Sequence, residues 1–176
     1  MKFRNLTEKE IDARVATVSE KGCSLLLYKD ARCDMRILDE TVGAERWQRT
    51  HELINGNLFC NVGINFPTAE GDHWVWKQDV GTESYTEKEK GQASDAFKRA
   101  CFNWGIGREL YTAPRIWISA DDVTLMQKSG RWSTYDKFKV EQIIIKDGEI
   151  VALSIRNTSL ERRVFLYDIR KKEADK

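Results

Sequence analysis

The sequence predicts an α+β domain in which an antiparallel β-meander carries a long helix packed across it. Three observations lead there. An Asn55-Gly56 pair sits between two strand-like runs spanning Trp47 to Phe66, the strongest short hairpin signal, and an alternating run, HWVWKQDVG, follows after the turn at Pro67 to Asp72. In GQASDAFKRACFNWGIGRELY, residues Ala93, Ala96, Ala100, Cys101 and Trp104 fall at offsets of −4, −1, +3, +4 and +7 from Phe97, which is one face of an α-helix. The chain has 176 residues, 41% of them hydrophobic, enough for one well-filled core and short for two, so residues 1–176 read as a single domain.

In chain order, LTEKEIDARVATVSEKG reads as a first helix: Thr7 and Glu10 have capping-box spacing, and Ile11, Val15 and Val18 recur at helical intervals before Gly22. CSLLLY is a short apolar run suited to a buried strand. MRILDETVG, with Ile37, Leu38 and Val42, reads as a short second helix opened by Arg36. The meander comes next; the alternation of its third strand puts His73, Val75 and Lys77 on one face and Trp74, Trp76 and Gln78 on the other. The long helix closes at Gly105 and Gly107, its small residues allowing close approach to a sheet, with Lys98 and Arg99 outside the apolar stripe. Beyond it, RIWIS reads as a strand and KFKVEQIIIKDGEIVALSIRN as a second hairpin turning at Asp147-Gly148, within a C-terminal region of about 115–170. Arg162, Arg163 and the tail cations Arg170, Lys171 and Lys172 read as a solvated face or a frayed end.

Charge excludes one class of function outright, the grossly cationic histone-like binder. Lysine plus arginine number 29 against 28 acidic residues, so any anion-binding surface is local. Four cysteines, Cys23, Cys33, Cys60 and Cys101, lack CxxC spacing and sit in apolar or helical context; buried free thiols in a reducing cytoplasm fit them better than a zinc site or disulfides. No apolar run reaches membrane-spanning length and the N-terminus has no hydrophobic signal core. The two histidines, His51 and His73, stand beside no nucleophile signature, and no GxxxxGK phosphate loop occurs. Asp79 and Glu83 are the best candidates for a metal-dependent nuclease, since such sites gather carboxylates around a divalent cation; acids at a strand exit and in a first helical turn are the commoner explanation. Lys98 and Arg99, with Lys90 two turns earlier and Arg36 near Trp47, could line a groove for a phosphate backbone with aromatic walls, or could be a solvated face with the tryptophans in the core. Spacing leaves both readings open.

KGQASDAFKRACFNWGIGRELY resembles the signature of the phage-type single-strand annealing proteins of the Rad-fifty-two family. ILDETVGAERW is similar to the family's helix ending in an acidic residue, a glycine and a tryptophan, and KQDVGTES to its strand-to-helix junction, so the likeness covers about residues 30–112. The resemblance implies the same meander-and-helix fold and assembly into a ring or helical homo-oligomer. It places Lys98 and Arg99 at the paired basic positions that contact the single-strand backbone, Lys90 at a further basic position, and Arg36, across a gap, near an arginine at the start of the second helix. Phe102 stands where eukaryotic members carry another arginine.

The function this implies is non-enzymatic: binding of single-stranded DNA and annealing of complementary strands in recombination and repair, without ATP, metal or other cofactor. The implied setting is a bacterial cytoplasm and a phage or prophage origin, with phage or host recombination proteins as further partners and no membrane. A metal-dependent nuclease built on Asp79 and Glu83 is the alternative.

Overall fold

The computed structural model describes residues 1–82 and 88–170. They divide into two compact units, Met1–Arg4 with Asp30–Gly107 and Asn5–Lys29 with Arg108–Lys176.

The second unit begins with a turn and a strand where the sequence predicts a first helix. Thr7 and Glu10 do form a capping box, the Glu10 carboxylate accepting the Thr7 N–H at 2.9 Å and its hydroxyl at 3.0 Å, but they cap a single 3₁₀ turn, Glu8–Glu10. The chain then extends as β1, Asp12–Ser19, antiparallel to β2, Gly22–Tyr28. The register shifts between Val15 and Thr17. That one-residue irregularity turns an alternation of two into a spacing of three, so Ile11, Val15 and Val18 imitate a helical stripe along an extended strand. β-branched residues and pairing to β2 decide the outcome.

In the first unit, α1 spans Ala31–Val42 and starts five residues before the predicted Arg36, because the Asp30 carboxylate accepts the Cys33 N–H at 2.8 Å and caps it there. A turn of 3₁₀ helix leads into β3, Trp47–Ile54, and then β4, Asn57–Asn65, and β5, Trp74–Val80. They pair antiparallel in the order β3-β4-β5, the predicted meander. Asn55 and Gly56 take φ of 51° and 77°, the left-handed pair a two-residue hairpin needs. α2, Lys88–Trp104, lies across one face of this sheet. Its Ala96, Phe97, Ala100 and Cys101 are fully buried with Cys60, Val62 and Ile64 of β4 and with Ile37 and Leu38 of α1. Gly105, at φ 105°, ends it, donating to the Phe102 carbonyl at 2.9 Å.

The rest of the second unit is β-rich. β6, Ile116–Ser119, pairs with β2; a small hairpin joins β7, Met126–Lys128, to β8, Arg131–Ser133. The predicted hairpin is β9, Phe138–Lys146, with β10, Glu149–Asn157, turning at Asp147 and Gly148. β11, Arg162–Asp168, was not anticipated: Arg162 and Arg163 are exposed strand residues ion-paired to Asp122 and Glu141, a solvated face and not a frayed end, while Lys171 and Lys172 lie outside the described residues. The sheet order is β11-β10-β9-β1-β2-β6.

Candidate nucleic-acid interface

Strand alternation sorts the meander into two faces. Under α2 lie three rows, Trp47-Ile64-Val75, Arg49-Val62-Lys77 and His51-Cys60-Asp79. The opposite face carries the rows Gln48-Gly63-Trp76 and Thr50-Asn61-Gln78 and is not covered by the helix. Trp76 lies flat on Gly63, where a Cβ would come within 2.8 Å of the indole, and stacks with Trp74 at 5.9 Å between centroids. Trp47 and Trp104, by contrast, join the packing between α2 and the sheet. Trp47 stacks with Phe97 at 6.0 Å and donates its indole N–H to Asp39 at 2.7 Å; Trp104 stacks with Phe66 and donates to the Val62 carbonyl at 3.0 Å.

The cations of α2 divide between its two flanks. Lys90, Ser94 and Lys98 recur at i, i+4 and i+8 and so share one flank, with about 12 Å of helix axis from first to last. Lys98 Nζ lies 3.9 Å from Asp95, whose other oxygen accepts the Thr82 N–H and hydroxyl at 3.0 Å. Arg99 points the other way, over β5, with Nε 3.3 Å from Asp79. Asp79 also accepts the Val80 N–H at 2.8 Å and the Asn103 amide at 3.4 Å. The Lys98 and Arg99 side chains retain 30% and 44% of their exposure, so both stay reachable by an anion although each has a carboxylate beside it.

A cleft of about 230 Å³ opens where α1, β3 and α2 meet. Ala31 and Met35 line it from α1, Arg49 and His51 from β3, and Lys90, Ala93 and Ser94 from α2. Its charged lining is Arg49 and Lys90, and no carboxylate is among these residues. The Arg49 guanidinium lies 4.6 Å from the centre of the Phe97 ring, and the His51 ring meets the Ala93 carbonyl through Nε2 at 3.2 Å. A carbonyl only accepts, so Nε2 carries the proton there. Asp30, capping α1 beside this cleft's Ala31, has its carboxyl below the ordinary value: burial works upward, but the Cys33 N–H and the neighbouring Arg32 outweigh it. Cys60, paired with His51, is pushed up to about 11 by burial, with Arg49 opposing weakly.

Of the four predicted contacts, then, Lys90 lines the cleft, Lys98 continues its flank, Arg99 leans over β5, and Arg36 is exposed on α1 one position beyond Met35. Arg49 and His51 escaped the sequence reading as partners of these cations; their alternation on β3 was visible, but not that it aims them at α2. Of the nuclease pair, Asp79 is hydrogen-bonded as above and Glu83 lies outside the described residues, among which no three metal-ligating side chains come together. No described helix is long and apolar enough to cross a membrane.

The first unit is thus a three-stranded meander with β3 and β5 at its edges, backed by a helix that carries cations along its flanks. The sequence matches the Rad52/22 family of double-strand break repair proteins over residues 4–124, and the chain belongs to that family. It is also similar to two curated relatives, each named single-stranded DNA-binding protein DdrA. One, from Deinococcus radiodurans, is 34% identical over 103 residues, covering 56% of this chain and 46% of the relative. The other, from Deinococcus deserti, is 31% identical over 113 residues, covering 61% and 52%. The chain thus spans about half the length of these relatives. No solved structure matches it.

Proposed function

We propose that this chain, acting as a single annealing module over residues 1–176, binds single-stranded DNA along a basic groove of a homo-oligomer and promotes pairing of complementary strands without ATP. The observation that carries the reading is the Lys90-Ser94-Lys98 flank of α2 opening into a cleft free of carboxylates, in a member of a double-strand break repair family. The single-strand binding named for both relatives supports it. Lys98, Arg99, Lys90 and Arg36 contact phosphates, leaving base edges free to pair, because cations grip any sequence alike. Duplex formation is downhill, so no nucleotide is consumed. The near-neutral charge of one protomer is offset by repetition: an oligomer strings weak sites along a continuous track and gains from effective concentration. The protein acts by binding, not catalysis, in a bacterial cytoplasm, where four buried free thiols persist.

A fluorescence annealing assay on complementary oligonucleotides, run with chelator and without nucleotide, tests this. Accelerated pairing is expected. Pairing at the protein-free rate, or strand cleavage on adding magnesium, overturns it. Light scattering is expected to give a multimer, and a monomer at micromolar concentration with and without single strands overturns the groove.

A further inference from the structure

Resting on the single-strand reading, we infer that the cleft between α1, β3 and α2 seats one sugar-phosphate unit of the bound strand, with Arg49 as its principal phosphate contact. Arg49 differs from the cations of α2 in what surrounds it. Lys98 and Arg99 each have a carboxylate within 4 Å, and an incoming phosphate must compete with Asp95 or Asp79 for them. Arg49 makes no ion pair among the described residues; its guanidinium rests on the Phe97 ring at 4.6 Å, which leaves its N–H edge available for a forked contact with phosphate oxygens. Phe97 is fully buried, so its ring is packed on all other sides, and an arginine already resting on it loses less freedom on binding.

The other walls suit the same ligand. Lys90 adds a second positive charge from the opposite side, Ser94 a hydroxyl, and Met35 an apolar surface for the sugar. His51 is a positioning residue: its bond to the Ala93 carbonyl ties β3 to α2 and sets the width of the opening. At about 230 Å³ the space falls below the range typical of pockets that enclose a whole small-molecule ligand, which favours a backbone unit over a buried nucleobase.

Fluorescence anisotropy of a labelled oligothymidylate with four proteins, each checked by circular dichroism and melting, tests the assignment: the parent, Arg49→Met, Arg49→Lys and Ala31→Phe. Arg49→Met keeps an apolar side chain over Phe97 but removes the fork. It is expected to weaken binding about tenfold or more and to lower the log-log salt slope by roughly 0.7. Arg49→Lys, keeping the charge without the fork, falls between it and the parent. Ala31→Phe fills the cleft without touching any charge and weakens binding comparably, so the result does not hang on one variant's stability. If the parent binds and folded Arg49→Met and Ala31→Phe bind within twofold of it, the seat is overturned while the single-strand reading stands. If the parent itself does not bind, both fall.

Discussion

Replacing Lys98 and Arg99 together with alanine separates a binding surface from a structural one. The stability cost can be worked from their surroundings. Both ion pairs are partly exposed, with N···O distances of 3.9 and 3.3 Å, and such pairs contribute about 0–1 kcal/mol each. Neither carboxylate is orphaned by the change, since Asp95 keeps the Thr82 N–H and hydroxyl and Asp79 keeps the Val80 N–H and the Asn103 amide. Alanine at two off-stripe helix positions returns a few tenths of a kcal/mol in propensity. The net loss is therefore about 1.5 kcal/mol at most, a melting shift of about 3–6 °C for a chain of this size. Binding should respond differently. Each phosphate-binding cation removed from a protomer lowers the log-log salt slope by roughly 0.7, and affinity weakens equally for all sequences. The opposite perturbation sharpens the test: Asp79→Asn and Asp95→Asn release the two cations and should tighten binding. Anisotropy titrations over a salt series, beside thermal melts, read both quantities. A double variant that melts like the parent and binds with unchanged affinity and slope refutes the assignment of this pair to phosphate.

Three further outcomes follow from the packing. Phe97→Ala, at a fully buried site that also holds Trp47 and Arg49, should cost about 3–5 kcal/mol and lose folding and binding together; a variant melting with the parent would contradict its place at the centre of the core. Glu141 titrates below its ordinary value chiefly because Arg163 donates to it at 2.5 Å, so its contribution is present above the usual carboxylate range and is lost as pH falls through its lowered value. Glu141→Gln should therefore be less stable than the parent at neutral pH, and the gap should close in acid below about pH 4; a gap independent of pH would refute the pairing. Burial pushes the Cys23 and Cys60 thiols to about 11, and all four cysteines are buried and free, so a disulfide reagent at about pH 8 should titrate them only as the protein unfolds. Modification of the native protein at the rate of a free thiol would show one of them to be accessible.

What could be read from the sequence was local. Asn55-Gly56 and Asp147-Gly148 announce their hairpins because only residues tolerant of positive φ make those turns, and all four adopt it. The α2 stripe is legible because the offsets of Ala93, Ala96, Ala100, Cys101 and Trp104 from Phe97 all agree with one helical face, and Gly105 ends the helix because it can adopt positive φ. The basic positions Lys98 and Arg99 lie off that stripe by arithmetic alone. Tertiary structure decided the rest. β1 takes its conformation from pairing with β2 across a shifted register, so its apolar spacing carries the wrong period, and β11 forms by pairing along β10, where Arg162 and Arg163 also meet carboxylates on neighbouring segments. The cleft is the clearest case. Arg49 and His51 meet α2 across 42 or more residues of chain, with β3 alternation supplying the direction and helix packing the distance. Periodicity tells which side of a strand a residue occupies; only the element laid against that side determines whether a cation there is solvated, paired with a carboxylate, or held over an aromatic ring.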